Sequence, residues 1–328
     1  MSDTEQLFNH WLHEGWKFRK IGNNPEYKKR MKYEFDIISS KPGFVDYFCI
    51  VSDIVRWTKR NGIMVGPGRG SGAASLIAYL LQITEIDPVP TQMMFERFID
   101  PQRSDLPDFD IDIEDERRHE VFAYAAEKYG RDYVANIGTF TYYKGKNSLD
   151  DVARVYRIPK WAIDNIKAKL ITRPEGHARE YKTITDTIDT YQEIKALVKR
   201  FPQLEYAPKL EGNIRNFGVH AAGLVISPIK INDVCATYMR NGVSAIAYDK
   251  YDAVYLNLVK IDLLSLKTLS MMRIALSLIG KGIKDLYELP LNDPKVLAAF
   301  ERGDVLGIFQ MEGQAARRIC KNVQPVNF

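Results

Sequence analysis

The chain has 328 residues, 45% of them hydrophobic and 27% charged, with a formal net charge of +4, a balance that fits one composite globular domain or two. So small an excess of base does not by itself demand a nucleic-acid partner. No apolar run approaches a membrane span and the first residues lack a basic-then-apolar leader, so the reading is a cytoplasmic protein with no membrane partner. Cys49, Cys235 and Cys320 have no metal-ligand spacing and read as reduced core thiols.

From Thr4 to Arg60 the apolar spacing predicts helices, with Leu7, Trp11, Leu12 and Trp16 first and then Phe35, Ile37 and Ile38. After the Pro42-Gly43 break the pattern resumes with Phe48, Ile50, Val51, Ile54, Val55 and Trp57. Ile63-Met64-Val65 predicts a short buried strand leading into Gly66-Pro67-Gly68-Arg69-Gly70-Ser71-Gly72. Glycines let backbone N–H groups close on an anion, and the run Ala73 to Tyr79 predicts a helix whose N-terminus favours negative charge. Taken alone, such a loop is equally well explained as a tight turn before a buried helix. Met93 to Ile99 reads as a helix or strand edge, in which Arg97 could reach a phosphate or pair with Glu96.

In Leu106-Pro107-Asp108-Phe109-Asp110-Ile111-Asp112, period-two alternation puts Asp108, Asp110 and Asp112 on one strand face and Phe109, Ile111 and Ile113 on the other. A row of like charges calls for cations. A calcium loop of the EF-hand type would need Gly and Glu where Ile113 and His119 stand, so Mg²⁺ is the better fit. Two such ions about 3.5–4 Å apart would clamp an in-line displacement at phosphorus, with Mn²⁺ a possible substitute. Loop and acidic strand together suggest nucleotidyl transfer.

Glu116 to Tyr129 then predicts an amphipathic helix ended by Gly130, and Tyr133 to Phe140 a strand. Lys144 and Lys146, beside Tyr142 and Tyr143, form a basic and aromatic patch suited to phosphates and sugars. Like Lys17-Phe18-Arg19-Lys20, Lys28-Lys29-Arg30 and Arg317-Arg318, it reads singly as a solvated face and collectively as a track for a phosphate backbone. Charged helices fill Gly145 to about Leu210, and strands resume at Val219 to Ile226, Ala245 to Tyr248 and Leu256 to Asp262. His220, between glycines, reads as a hydrogen-bonded core or DNA-facing group. Asp262 stands in an apolar strand where a lone charge is costly unless metal-bound, paired with Lys260 or capping the next helix. Lys260 shares its face and could contact DNA or balance the carboxylates.

The glycine loop, Phe95-Glu96-Arg97-Phe98, Leu106 to Asp112 and Lys128-Tyr129-Gly130-Arg131-Asp132 resemble the palm of the bacterial replicative DNA polymerases of the C-family, the DNA polymerase III alpha subunits. Ile137-Gly138-Thr139-Phe140, Asp151 to Val155, Gly218 to Gly223, Val259 to Leu264 and Gly307 to Glu312 continue the likeness in family order over nearly the whole chain. The resemblance implies an α+β fold: a polymerase beta-like nucleotidyltransferase palm, a mixed sheet flanked by helices, with an inserted helical thumb. Palm would occupy 1–144 and 212–275, thumb 145–211 and the start of the fingers 276–328. It places the three metal-binding aspartates on Asp108, Asp110 and Asp262, with Asp112 at a non-catalytic family position. Gly68, Arg69, Gly70, Ser71, Gly72 and Arg97 would meet the incoming triphosphate, and Lys144, Lys146, His220 and Lys260 the DNA.

The implied activity is template-directed addition of dNMP to a primer 3′-hydroxyl with two Mg²⁺ ions, on primer–template DNA and dNTP. Family parts are missing from the sequence, among them the polymerase-and-histidinol-phosphatase domain and most of the fingers. The chain is therefore expected to be a fragment, or one half of a split enzyme whose C-terminal half supplies fingers and clamp-binding regions. Val219 and Ser265 depart from the family, where a basic residue and a glycine are common. The alternatives are a catalytically idle DNA-binding or assembly module, and a non-replicative nucleotidyltransferase acting on a small molecule or RNA end.

Overall fold

A computed structural model describes residues 2–240, 242–287, 289–290 and 292–326; Met1, Asn241, Glu288, Leu291, Asn327 and Phe328 lie outside the described residues. Six strands form a mixed sheet: β1 (Asp110–Glu114), β2 (Val134–Tyr142), β3 (Ile214–Ile226), β4 (Thr237–Arg240), β5 (Val243–Ile246) and β6 (Val259–Leu266), in the order β1-β6-β3-β2-β5-β4. With its many helices the protein is α+β. The chain divides into two compact units, the first comprising Met1–Ala135, Ala221–Asp233 and Asn257–Phe328, the second Asn136–His220 and Val234–Leu256. No helix among the described residues is long and apolar enough to cross a membrane.

The first unit opens with α1 (Asp3–Phe18), α2 (Pro25–Ser40) and α3 (Phe44–Arg60). Ser2 and Glu5 make a reciprocal capping box at α1, and Asn24 caps α2 ahead of Pro25, whose missing N–H costs nothing there. Gly43, at φ 77°, turns the chain into α3 in a conformation that a side chain would resist. The apolar positions read from the sequence then converge. Phe8 and Leu12 from α1, Ile38 from α2, and Phe48, Val51, Ile54 and Val55 from α3 share one core with Ile111, Ile113, Leu224, Ile226, Ile261 and Leu263 of the sheet.

Among the departures from the sequence expectation, two have a backbone reason. Ile63-Met64-Val65 makes only a bridge, Val65 to Ile113, plus the bond from the Glu114 N–H to the Met64 carbonyl, before Pro67 and the glycines turn it away. The acidic strand starts at Asp110 rather than Asp108, because the Phe109 N–H is given to the Tyr47 hydroxyl at 3.1 Å instead of to a neighbouring strand. Beyond β6, the helix Lys267–Leu278 packs Leu269 and Leu276 around Met64, and its Arg273 pairs with Glu114 at 2.5 Å and Glu116 at 2.6 Å.

In the second unit, β4 and β5 form an antiparallel pair, and β5 runs parallel to β2 through Asn136 and Ala245. Residues 145–211 hold helices Gly145–Tyr156, Lys160–Ala168, Thr183–Thr190, Gln192–Arg200 and Ala207–Leu210 and no strand among the described residues. They have their own core, in which Leu149, Val152, Ile163, Ile166, Ile184 and Ile194 meet. Gly145 is required there, since a Cβ would stand 2.4 Å from the Thr183 hydroxyl.

Candidate active site

Phe109 is the fixed point of the site. Its ring lies 4.8 Å from Phe98, 5.2 Å from Phe48 and 5.7 Å from Tyr47 between centroids, so the residue is pinned in the core. Alternation then sends its neighbours, Asp108 and Asp110, away from that core. Parallel pairing of β1 with β6 sets Asp110 opposite Asp262, and antiparallel pairing sets Gly223 on the other side of Asp262. Register partners share a sheet face, so an aspartate from each of two strands far apart in sequence stands in one row.

The charge in that row is partly compensated from within. Lys260 Nζ donates to Asp108 Oδ2 at 2.8 Å and to Asp262 Oδ2 at 2.7 Å. Burial works against the ammonium, but those two bonds outweigh it and hold the lysine pKa above its ordinary value. The Asp110 pKa also rises, but here the charged form is disfavoured: burial first, then the charges of Asp108 and Asp262, raise it, with Arg69 and Lys260 opposing. The Asp262–Lys260 pair anticipated as the plain alternative is therefore present. Asp262 caps no helix, since the next one begins at Lys267 with Leu266 at its N-cap. Among the described residues no three His, Cys, Asp or Glu side chains converge on one point; the ammonium stands where two of these carboxylates meet.

The glycine loop lies directly over the acidic strand. A Cβ on Gly66 would meet the Asp112 Cβ at 2.9 Å, one on Gly72 the Phe109 ring at 2.9 Å, and one on Gly70 the Asp110 Oδ2 at 3.7 Å. The Gly66 N–H donates to the Asp112 carbonyl, and Arg69 Nη1 to Asp112 Oδ1 at 2.8 Å. The two motifs are thus one structure. Asp112, 8% exposed, spends its carboxylate on Arg69 instead of joining the row.

The helix behind the loop corrects an expectation. Gly70–Ala74 is a 3-10 turn and α4 (Leu76–Leu80) is short. Its N-terminus already holds an anion: Glu34, fully buried on α2, accepts from the Leu76 and Ile77 N–H groups, each at 3.0 Å, and from the Ser75 hydroxyl at 2.8 Å. Arg30 donates to Glu34 at 2.6 Å and to the carbonyls of Ala74 and Met93. That terminus is an internal joint, and any phosphate contact falls to the loop before it.

Of the other sequence candidates, Ser71 and Arg97 are exposed, and Glu96 is engaged by the Tyr33 hydroxyl rather than by Arg97. Lys144, Lys146 and His220 belong to the second unit; both lysines are exposed, and Lys144 lies 3.3 Å from Glu180. His119 is exposed. Two basic clusters lose their arginines to internal pairs, Arg30 as above and Arg19 to Glu85 at 2.5 Å. Sequence reading missed Glu34, Tyr47 and Arg273. A charge within an otherwise apolar helix stripe was the available signal for Glu34.

The protein is an α+β protein whose mixed sheet carries aspartates of two strands beneath a glycine loop. The family of the bacterial DNA polymerase III alpha NTPase domain matches residues 5–265, and that of the DNA polymerase III alpha subunit finger domain residues 268–328. The DNA polymerase III subunit alpha of Escherichia coli strain K12 is 38% identical over 320 residues, 93% of this chain and 27% of that protein. That of Aquifex aeolicus is 38% identical over 331 residues, 92% of this chain and 28% of that protein. That of Caulobacter vibrioides is 39% identical over 336 residues, 98% of this chain and 29% of that protein. The chain belongs to the bacterial DNA polymerase III alpha family, and it spans less than a third of the length of these relatives.

Proposed function

We propose that the chain is the core of a template-directed DNA polymerase that adds dNMP to a primer 3′-hydroxyl in the cytoplasm, on primer–template DNA and dNTP. The observation that carries this reading is the register of Asp110 with Asp262, beside Asp108 and below the glycine loop. The donor set suits hard divalent cations: carboxylate oxygens, already bridged by a positive group at 2.7 and 2.8 Å. Bound to these aspartates, two Mg²⁺ ions, or Mn²⁺ in their place, would supply a more acidic 3′-hydroxyl and neutralise charge at phosphorus. Asp108, Asp110 and Asp262 hold and orient the ions.

Arg69 offers a fork of N–H donors matched to phosphate oxygens, with Ser71 and the backbone of Gly68, Gly70 and Gly72 as smaller donors and Arg97 as a second cation. Lys144, Lys146 and His220 serve the DNA backbone, Lys146 from a thumb of residues 145–211, and Lys144 and His220 from the palm of 1–144 and 212–275 into which it is set. Residues 276–328 begin the fingers, which a C-terminal half of the polymerase completes.

Primer extension with Mg²⁺, with and without a polypeptide carrying that half, tests the reading. Asp110→Asn is expected to abolish extension while primer–template binding, followed by fluorescence anisotropy, persists; undiminished extension would refute it. One observation favours a second reading. If the Asp108–Lys260–Asp262 bridge is permanent, the chain is a catalytically idle DNA-binding module, and Asp262→Asn then lowers stability without touching any metal affinity.

A further inference from the structure

Lys260 reaches both outer carboxylates of the acidic row. Its Nζ touches one oxygen of Asp108 and one of Asp262, while its side chain is only 14% exposed. Among the described residues Asp110, the register partner of Asp262, gains no comparable donor, while Arg69 donates to Asp112. We infer that Lys260 is a built-in competitor of the divalent cation, occupying an oxygen each of Asp108 and Asp262, two of the residues that would hold an ion, and yielding Asp108 when the ion enters.

The inference rests on the metal-site reading above. A cation and an ammonium cannot both sit within hydrogen-bond distance of the same two oxygens without strong repulsion in a half-buried site. Lysine is suited to yielding, because its charge rides on a flexible four-carbon stem, and Asp108, 56% exposed at its side chain, lies on the open side. The released ammonium is then free to pair with a phosphate. Cation affinity is thereby kept low until a phosphate-bearing ligand arrives.

Mn²⁺ titration of the 328-residue chain, read by the loss of free-ion electron paramagnetic resonance signal, tests this without any turnover. Lys260→Met removes the competing charge at nearly constant length and is expected to bind Mn²⁺ about tenfold more tightly than wild type. Lys260→Arg, whose planar fork grips both carboxylates, is expected to bind it more weakly. Circular dichroism reports whether each variant is folded, and if the methionine variant is not, the arginine variant decides. Equal or weaker binding by folded Lys260→Met, or equal or tighter binding by Lys260→Arg, overturns the inference. Asp262→Asn separates the two layers: if it binds Mn²⁺ as wild type does, the metal site itself is refuted.

Discussion

Glu34 gathers four donors, the Leu76 and Ile77 N–H groups, the Ser75 hydroxyl and the Arg30 guanidinium, onto one carboxylate with no exposure to solvent. Burial drives its pKa up, and the Ile77 N–H and Arg30 pull against that. Removing one partner of such a buried set strands the others, so Glu34→Ala is expected to cost about 3–5 kcal/mol in urea denaturation. Glu34→Gln, which keeps an acceptor oxygen, is expected to cost clearly less. An alanine variant within about 1 kcal/mol of wild type would show that water satisfies those donors instead. The one local signal for Glu34 was a charge in an otherwise apolar helix stripe; what it holds was not legible in advance, because three of its four donors lie some forty positions downstream. The aspartate row was legible for the opposite reason. Alternation about Phe109, and a lone acid in the apolar strand around Asp262, are local signals, and sheet register then brought the two strands together. Asp112 obeyed the same alternation and still left the row, since a close arginine outweighed strand periodicity.

Helices α1 to α3 were read from apolar spacing and folded as read, because each buries one stripe in a common core. What spacing could not convey is how closely elements pass. Gly15 lies in the last turn of α1, where glycine still costs up to about 1 kcal/mol relative to alanine, so propensity alone says Gly15→Ala should stabilise. Packing says otherwise. A Cβ there would stand 2.0 Å from the Leu80 carbonyl oxygen and 2.7 Å from its carbon, both backbone atoms that no rotamer change can move. Overpacking of this kind costs about 1–3 kcal/mol or more, and here α1 or α4 must shift by over an ångström. We therefore expect a net loss of at least about 1–2 kcal/mol for Gly15→Ala in chemical denaturation. A variant more stable than wild type would mean the crossing is loose. The same blindness to close approach explains the glycine loop, whose flexibility was evident from sequence while its seat on Asp112 and Phe109 was not.

At the scale of the whole chain, a net charge of +4 on 328 residues gives too weak a field to bring in a polyanion, so any DNA affinity depends on where free cations are gathered. Internal pairs thin that supply. Arg19 and Arg30 are committed to Glu85 and Glu34, which weakens the two N-terminal basic clusters as phosphate contacts. The cluster around Gly145 keeps exposed lysines, with Lys144 restrained only by Glu180 at 3.3 Å. Each phosphate neutralised releases a counterion, which gives a measurable signature: the logarithm of the binding constant falls with the logarithm of salt concentration by about 0.9 per contact. If Lys144 and Lys146 both touch the backbone of a primer–template duplex, replacing both with alanine should flatten that slope by about 1–2 across duplexes of any sequence. Glu180→Gln, which frees Lys144 from its only ion pair among the described residues, should tighten binding in low salt and lose that advantage as salt rises. A double alanine variant with the wild-type slope would place the DNA track elsewhere, on cations that neither internal carboxylates nor the acidic row have claimed.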